Sequence, residues 1–392
     1  MTSTIATGLA NPFPGLRPFG SGDRHLFFGR EAVADELLER LRSHRFVAVL
    51  GAAGIGKSSL VRARMLPALH ATGGAWRTAV MHPADAPLAN LAYALMHPRV
   101  LGSEYGNREL KAWIAREVLE RGPHGLVELV EQTRLAAGDK MLVVVDQFEE
   151  LFRYAHSGSD AALRDDAAAF VRLLLKAVSQ TEHSISVVLV IGADFLEKCV
   201  RFRDLPEAIN RSHVLAPGLT RDALQRAIEE PARAGGATYA PALVKRLLDG
   251  LRDDGGELPA LQHALMRTWH FWHAEQRAAD PVDVRHLEAA GGLANALWRH
   301  LDEIYAALPD DRSKEIATKL FKAVTATAPG DVTVRRPVRF ADVWATIGCT
   351  SDELRRVVEP FSAPGRSFLR PSPHALDESS VLDLSYERLV RA

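Results

Sequence analysis

Phe46 to Ser59 reads FVAVLGAAGIGKSS. The apolar run Phe46 to Leu50 has the composition of a buried strand. Gly51, Gly54 and Gly56 punctuate a tight loop, and Lys57, Ser58 and Ser59 open a helix that continues through Leu60 and Val61. This is the pattern G-x-x-x-x-G-K-[ST] between a strand and a helix, the setting it requires. Glycines let main-chain N–H groups face phosphate oxygens with no Cβ in the way. The Lys57 ammonium suits β- and γ-phosphates, and the Ser58 hydroxyl suits Mg²⁺. The helix beginning at Lys57 adds the positive end of its dipole. Gly51, Gly54, Ile55, Gly56, Lys57, Ser58 and Ser59 are therefore expected to cradle a nucleotide's phosphates.

Working outward, Glu31 to Leu41 reads as an amphipathic helix with Val33, Leu37, Leu38 and Leu41 on one face. Ahead of it, residues 1–30 form an extended arm rich in Pro and Gly. Trp76 to Met81 is a second short strand, followed past Pro83 by a helix from Leu88 to Leu95. Leu110 to Ala136 has helical periodicity throughout. Met141 to Asp146, MLVVVD, is a continuous apolar strand ending in a carboxylate. Ala161 to Ser179 is a helix, Ile185 to Ile191 a fourth apolar strand, and His213 to Leu215 a short fifth. Strands apolar on both faces and separated by helices predict an α/β fold, a parallel sheet covered on both sides. Such sheets take ligands at the carboxyl ends of their strands, where the glycine loop and Asp146 both fall.

After Leu219 the texture changes to short helices, Arg221 to Arg233, Ala242 to Leu251 and Pro259 to Ala274, broken at Gly255–Gly256 and Gly291–Gly292. A third region begins near Pro309. It has a helix from Arg312 to Ala326, a turn at Pro329–Gly330, a strand from Val332 to Val334, a helix over Asp352 to Phe361, and apolar stretches near Phe368 and Val381 to Leu384. Helices followed by a terminal hairpin suggest a small winged-helix-like domain. The expected organisation is an arm (1–30), a nucleotide-binding domain (31–217), a helical domain (218–308) and a winged-helix-like domain (309–392).

Composition sets limits. The 392 residues are too many for one core. At 47% hydrophobic and 25% charged the chain reads as an ordinary soluble globular protein. Forty-eight basic against 49 acidic side chains give a net charge of −1, which offers no whole-chain attraction to nucleic acid or an anionic membrane. Cys199 and Cys349 read as small core hydrophobes in a reducing compartment. The N-terminus lacks a basic segment followed by an apolar run, and no apolar run reaches the ~20 residues of a membrane span. The expectation is a cytoplasmic protein.

Asp146 is followed by Gln147, Phe148, Glu149 and Glu150. A carboxylate leaving a strand beside a phosphate loop can hold Mg²⁺, directly or through water, and Glu149 or Glu150 can orient or deprotonate an attacking water.

Several motifs stand in a telling order: NPFPGLRPF (Asn11 to Phe19), FFGRE (Phe27 to Glu31), the glycine loop, LVVVDQFEELF (Leu142 to Phe152) and ADF (Ala193 to Phe195). PARAGG (Pro231 to Gly236), GELPALQHAL (Gly256 to Leu265) and RTW (Arg267 to Trp269) continue the series. Together they resemble the bacterial STAND ATPases, signal-transduction ATPases with numerous domains, and the novel STAND group among them. The resemblance implies that Phe28, Gly29 and Arg30 lie against adenine. It implies that Lys57 and Ser58 take the phosphate and Mg²⁺. Asp146, Glu149 and Glu150 are similar to the acidic set D-G-[FL]-D-E of related NACHT ATPases, with Gln147 in the glycine place. That favours Glu150 as water activator and Glu149 as a Mg²⁺ or outer carboxylate. Pro259 is similar to a proline that packs on the nucleotide, and it is equally suited to the first turn of a helix.

The resemblance further implies an ATP/ADP switch with slow turnover, a nucleotide-dependent homo-oligomer, a sensor or effector partner, and service in bacterial stress or antiphage signalling. In that scheme ADP bridges the domains of a resting monomer. Two positions depart from the pattern. Gly192 stands where related chains carry arginine before ADF, which bears on hydrolysis. Tyr386, within SYERLVR (Ser385 to Arg391), stands where a histidine is expected at the ADP β-phosphate. A phenol donates a hydrogen bond but carries no positive charge near neutrality. The chain also ends where such proteins continue into a further module, which suggests a truncation or a readout lodged elsewhere.

Two weaker signals read differently. His263, His270 and His273 share a helix, but His263 and His270 are about 10 Å apart along it, too far for one metal ion. Leu261, Leu265, Thr268 and Trp272 are the expected core stripe there. Arg335, Arg336 and Arg339 form a small basic cluster. One reading is a DNA-contacting wing on an ATP-dependent regulator, and the plainer one is a solvated hairpin or an interdomain contact. A nucleotide-binding scaffold that barely turns over is the other alternative, encouraged by Gly192.

Overall fold

The computed structural model describes residues 10–73, 75–133, 135–136, 138–154, 161–180, 184–251, 257–275, 280–328, 332–371, 376–378, 380–386 and 389–390. The chain divides into two compact units. One comprises Gly20–Arg24 and Arg30–Pro217. The other comprises Gly218–Ala392 with His25–Gly29 and the described part of Met1–Phe19.

The first unit is built on five parallel strands: β1 (Phe46–Gly51), β2 (Trp76–Met81), β3 (Lys140–Val145), β4 (Ile185–Gly192) and β5 (His213–Leu215). Their order is β2-β3-β4-β1-β5. The register runs Phe46 opposite Val187 through Gly51 opposite Gly192, and Met141 opposite Ile185 through Val145 opposite Leu189. Every residue of β1 and β4 is buried, which is why these strands read as unbroken apolar runs. The expected α/β architecture is thus observed. Its core joins alternate strand residues such as Val143, Val187 and Leu189 to Phe148, Phe152 and Phe170.

Helices cover the sheet, among them Glu31–Ser43, with Ala34, Leu37, Leu38 and Leu41 buried, and Ala161–Ser179. The expected helix over 110–136 is two, Arg108–Glu120 and Gly125–Gln132. Gly122 at φ 146° and Pro123, which has no N–H to donate, force the break. Leu60–Met65, within the helix that starts at Lys57, widens into a π-helical stretch.

In the second unit Arg221–Ala234, Pro241–Asp249, Leu258–Ala274 and Gly292–Ala306 pack around Leu243, Leu261, Leu265, Trp269 and Trp272. The stripe expected on 259–274 is fully inside. Phe13 from the NPFPGLRPF segment joins that core, its ring 6.3 Å from Trp269. Three described α-helices of this unit were not legible in the sequence: Val284–Ala289, Gly292–Ala306 and Phe340–Ile347. A capping box between Asp283 and His286 starts the first, and Gly291 at φ 103° starts the second.

Toward the C-terminus, Asp311–Ala323 ends earlier than periodicity suggested. The alternating β-branched run Thr325–Ala328 pairs instead with Val332–Arg335 in an antiparallel ribbon. Val381–Leu384 pairs antiparallel with Val338–Arg339 and Leu369–Arg370 against the helix Ser351–Ser362. The turns expected at Gly255–Gly256 and Pro329–Gly330, and Glu387, Arg388 and Arg391 of SYERLVR, lie outside the described residues.

Candidate functional site

At the carboxyl end of β1 the chain turns through Gly51, Gly54 and Gly56, with φ of 158°, 75° and 93°. The last two values belong to the left-handed region that glycine enters without cost. A Cβ on Gly51 would come within 3.0 Å of both the Ala216 carbonyl oxygen and Ile55 Cγ2, so main chain crosses main chain here with no room to spare. Lys57 is 8% exposed, and its Nζ donates to the carbonyls of Gly51 and Ala52, both at 2.9 Å. The head group is therefore folded inside the concavity of its own loop. Ile55 and Ser59 are buried beside it. Arg30, 4% exposed, braces the loop from behind by donating to the Ile55 carbonyl at 2.8 Å and to the Pro217 carbonyl. Burial lowers its guanidinium pKa to about 10, so it remains charged at neutrality.

Asp146 follows β3 directly and is 1% exposed. Its N–H donates to the Met81 carbonyl at 2.9 Å, fixing the backbone against β2. Its Oδ1 accepts from Ser58 Oγ at 2.7 Å. Its Oδ2 accepts from Arg62 Nε at 3.0 Å and lies 2.9 Å from Arg62 Nη2. His82, just past β2, sits with Nε2 2.8 Å from Arg62 Nη2 and 4.0 Å from Asp146 Oδ2. Burial pushes the Asp146 carboxyl up, but His82, Arg62 and the Ser58 hydroxyl outweigh it and hold the group below the usual carboxylate range.

The two glutamates diverge. Glu149 Oε2 accepts from the Gly192 N–H at 3.2 Å, at the end of β4. Glu150 Oε2 accepts from the Ala84 N–H at 3.0 Å, and its Oε1 lies 3.9 Å from His82 Nδ1, beyond the end of β2. Since β4 lies between β3 and β1, Glu149 is tied on the side of β3 that leads to the glycine loop, and Glu150 on the opposite side. Gln147, between these acids, has φ 56°. That is the conformation a glycine would take, so the glycine place named by the resemblance is a real backbone demand.

Ser58 Oγ and Asp146 Oδ1 are two hard oxygen donors in contact, a set that suits Mg²⁺. Arg62 and His82 are the residues sequence reasoning missed. Arg62 reaches Asp146 across 84 positions of sequence, a pairing no local pattern displays. Phe28, Gly29, Pro259 and Tyr386 belong to the second unit. There Gly29 has φ 85° and a Cβ on it would strike the Ala223 carbonyl at 2.8 Å. Pro259 occupies the first turn of its helix, and Tyr386 is buried in the C-terminal core. Of the basic cluster, Arg335 is enclosed: its Nε donates to Asp383 Oδ1 at 3.0 Å and its Nη2 to Oδ2. His263 pairs with His300, ring nitrogens 3.2 Å apart. No described helix is long and apolar enough to cross a membrane.

A glycine loop with a buried lysine after β1, and a helix serine bonded to the aspartate after β3, define a P-loop NTPase. Residues 12–391 match the family model for Novel STAND NTPase 1, and the chain belongs to that family. Among solved structures it is similar to the Aeropyrum pernix ORC1 protein in complex with DNA, at 14% identity over 93% of this chain and 91% of that one, with a TM-score of 0.51. It is also similar to the Aeropyrum pernix ORC2 protein in its ADPNP–ADP complexes, at 16% identity, 92% and 91% coverage and a TM-score of 0.47. Thermotoga maritima RuvB, a Holliday junction branch migration motor, matches at 14% identity, 91% and 93% coverage and a TM-score of 0.38. At 14% identity the likeness to the ORC1 protein is one of fold. A comparison with curated proteins returns no match.

Proposed function

We propose that this NTPase is a STAND-type ATP/ADP switch, a slow ATPase that governs assembly of a signalling complex in bacterial stress or antiphage signalling. The observation that carries the reading is the meeting of Ser58 and Asp146 at 2.7 Å beside a glycine loop enclosing the Lys57 ammonium. In this reading the loop amides and Lys57 hold the β- and γ-phosphates, and Phe28, Gly29 and Arg30 serve the adenine. Ser58 and Asp146 would hold Mg²⁺, which would supply neutralisation of charge on the transferred phosphoryl group. Arg62 keeps Asp146 ionised and turned so that Oδ1 faces Ser58. The resemblance favours Glu150 for activating water, whereas the strand order favours Glu149, tied as it is toward β4. Pro259 and Tyr386 are the contacts contributed from the helical (218–308) and winged-helix-like (309–392) domains.

A switch requires that ATP and ADP bind two states with unequal affinity, because equal affinity shifts no population. Nucleotide-dependent self-association is the physical form proposed for that shift. The test is calorimetry of the full chain with ATP and ADP in saturating magnesium. Lys57→Ala is expected to abolish both heats; affinity unchanged by that substitution overturns the site.

A further inference from the structure

The second unit contains a cavity of about 400 Å³ walled by the helices Leu258–Ala274 and Gly292–Ala306 and by the turn at 364–366. Arg267, His270, His300, Arg366, Glu303 and Met266 line it. A volume of that order accommodates a small organic molecule.

Its chemistry is one-sided. Arg267, 7% exposed, gives Nη2 to Glu303, while no described residue bonds its Nη1. Glu303 is also shared with Arg299, 3.6 Å away. Among the described residues, the side chain of Arg366, on the exposed turn, donates only through Nη1, to the Pro360 carbonyl at 3.2 Å. Glu303 is thus shared between Arg267 and Arg299, while Arg267 and Arg366 both line the cavity. The field they make is felt by His300, whose pKa falls to about 3 through burial and then through Arg267, His263, Arg366 and His270.

The histidine pair supplies a directed donor. His263 is fully buried, and its Nδ1 has no hydrogen-bond partner among the described residues. A proton there would be an orphaned buried donor, which costs more than a bare lone pair. The proton therefore sits on His263 Nε2 and is donated to His300 Nδ1 at 3.2 Å. His300 then carries its own proton on Nε2, the nitrogen that makes no bond to a described residue. Both rings are held in place by Phe368, at 5.5 Å from each. The outcome is a neutral, oriented N–H donor in the wall of a cationic cavity.

We propose that this cavity is a binding site for a small anion bearing a carboxylate or phosphate group, gripped between Arg267 Nη1, Arg366 and His300 Nε2–H. Guanidinium forks match both oxyanions, and partial dehydration strengthens such bonds. The ligand ties the turn carrying Arg366 to the helix carrying Arg267. The site does not depend on the nucleotide reading.

The test uses the full chain carrying Lys57→Ala, so that phosphate has no purchase on the glycine loop. Sodium phosphate and sodium succinate are titrated calorimetrically at constant ionic strength set by sodium chloride. Saturable binding of at least one probe is expected. Arg366→Glu is expected to weaken it at least tenfold without moving Tm, because Arg366 is exposed and its side chain bonds one carbonyl among the described residues. Arg267→Lys, which keeps the charge but loses the fork, is expected to weaken it as well. Tighter phosphate identifies a phosphorylated ligand, and tighter succinate a carboxylic acid. No saturable heat from either probe, or affinity indifferent to both substitutions, overturns the site.

Discussion

Arg62 holds Asp146 by a single oxygen: Nε and Nη2 lie 3.0 and 2.9 Å from Oδ2, which leaves Oδ1 to the Ser58 hydroxyl. The carboxylate is 1% exposed and has no solvent to fall back on. Arg62→Ala strips a buried charge of its partner, a change that costs about 2 kcal/mol when other hydrogen bonds remain. Because the native pKa of Asp146 lies below its ordinary 3.8, the stabilisation is complete above that value and is lost as pH falls through the native pKa. Urea unfolding at pH 7 should show the full deficit of Arg62→Ala, and the gap should close below pH 3.8. A deficit under about 0.5 kcal/mol at pH 7, the size of an ordinary surface change, rules out this role for Arg62.

The two glutamates give opposite expectations for turnover. Glu149 is tied to Gly192 at the end of β4, the strand that adjoins β1. Glu150 is tied to Ala84, past β2. If strand order decides, Glu149→Gln slows steady-state phosphate release by about 10² or more, in the range of general-base loss, while Glu150→Gln slows it less than about tenfold. Nucleotide affinity should survive in both, since neither neutralises the loop. The reverse ranking would return the water-activating role to Glu150.

Gln147 holds φ 56° where a glycine would sit without strain. A side chain in this region costs about 1 kcal/mol or more, and a β-branched one costs most. Glycine relieves that strain but loses a similar amount of unfolded-state restriction. Gln147→Gly should therefore leave stability within about 1 kcal/mol of the parent, whereas Gln147→Val should lose about 1–2 kcal/mol. Equal stability of the two variants by urea unfolding would mean that the turn relaxes freely.

How much of this was legible follows from distance along the chain. β1, β3 and β4 announce themselves because each is buried on both faces, so local composition suffices. The glycine loop is legible because its chemistry is contiguous. Arg62 was hidden because its partner is 84 positions away and because the π-helical stretch Leu60–Met65 displaces side chains from the usual helical spacing. The same reason hid the pairing of His263 with His300, 37 positions on, and of Arg335 with Asp383, 48 positions on. Arg335 looked solvent-facing for want of Asp383, whereas Arg336 and Arg339 are exposed. The helix Phe340–Ile347 was missed because it follows the strand Val338–Arg339 directly, with no capping side chain at the join.

Gly192 has φ −67°, a conformation any residue adopts. A Cβ there would lie 3.2 Å from Phe195 Cδ2 and 3.8 Å from Glu149 Oε1. The Phe195 ring edge must yield by a few tenths of an ångström, so Gly192→Arg should cost about 1 kcal/mol of stability. The new guanidinium would stand beside Glu149 at the end of β4, placed to offset developing phosphoryl charge. Phosphate release in steady state should rise by about tenfold, well short of the 10³–10⁵ that a dedicated arginine finger supplies. A rate unchanged or lowered, with the fold intact, would show that Gly192 does not limit hydrolysis.

His263 and His300 give the second unit a pH limit of their own. Burial first, then Arg267 and its cationic neighbours, lowers both pKa values from 6.5 to about 3. Between those values the unfolded chain binds protons that the native chain does not, so stability is full above pH 6.5 and declines as pH falls toward 3. Moving from pH 6.5 to 5 should cost on the order of 2 kcal/mol for each histidine that stays neutral in the native state. A His263→Leu, His300→Leu double variant removes both groups while keeping apolar contact with Phe368. Its Tm should change less than the parent's between pH 7 and 5. Parallel pH profiles for the two proteins would mean that the pair titrates normally and that the cavity wall is not cationic.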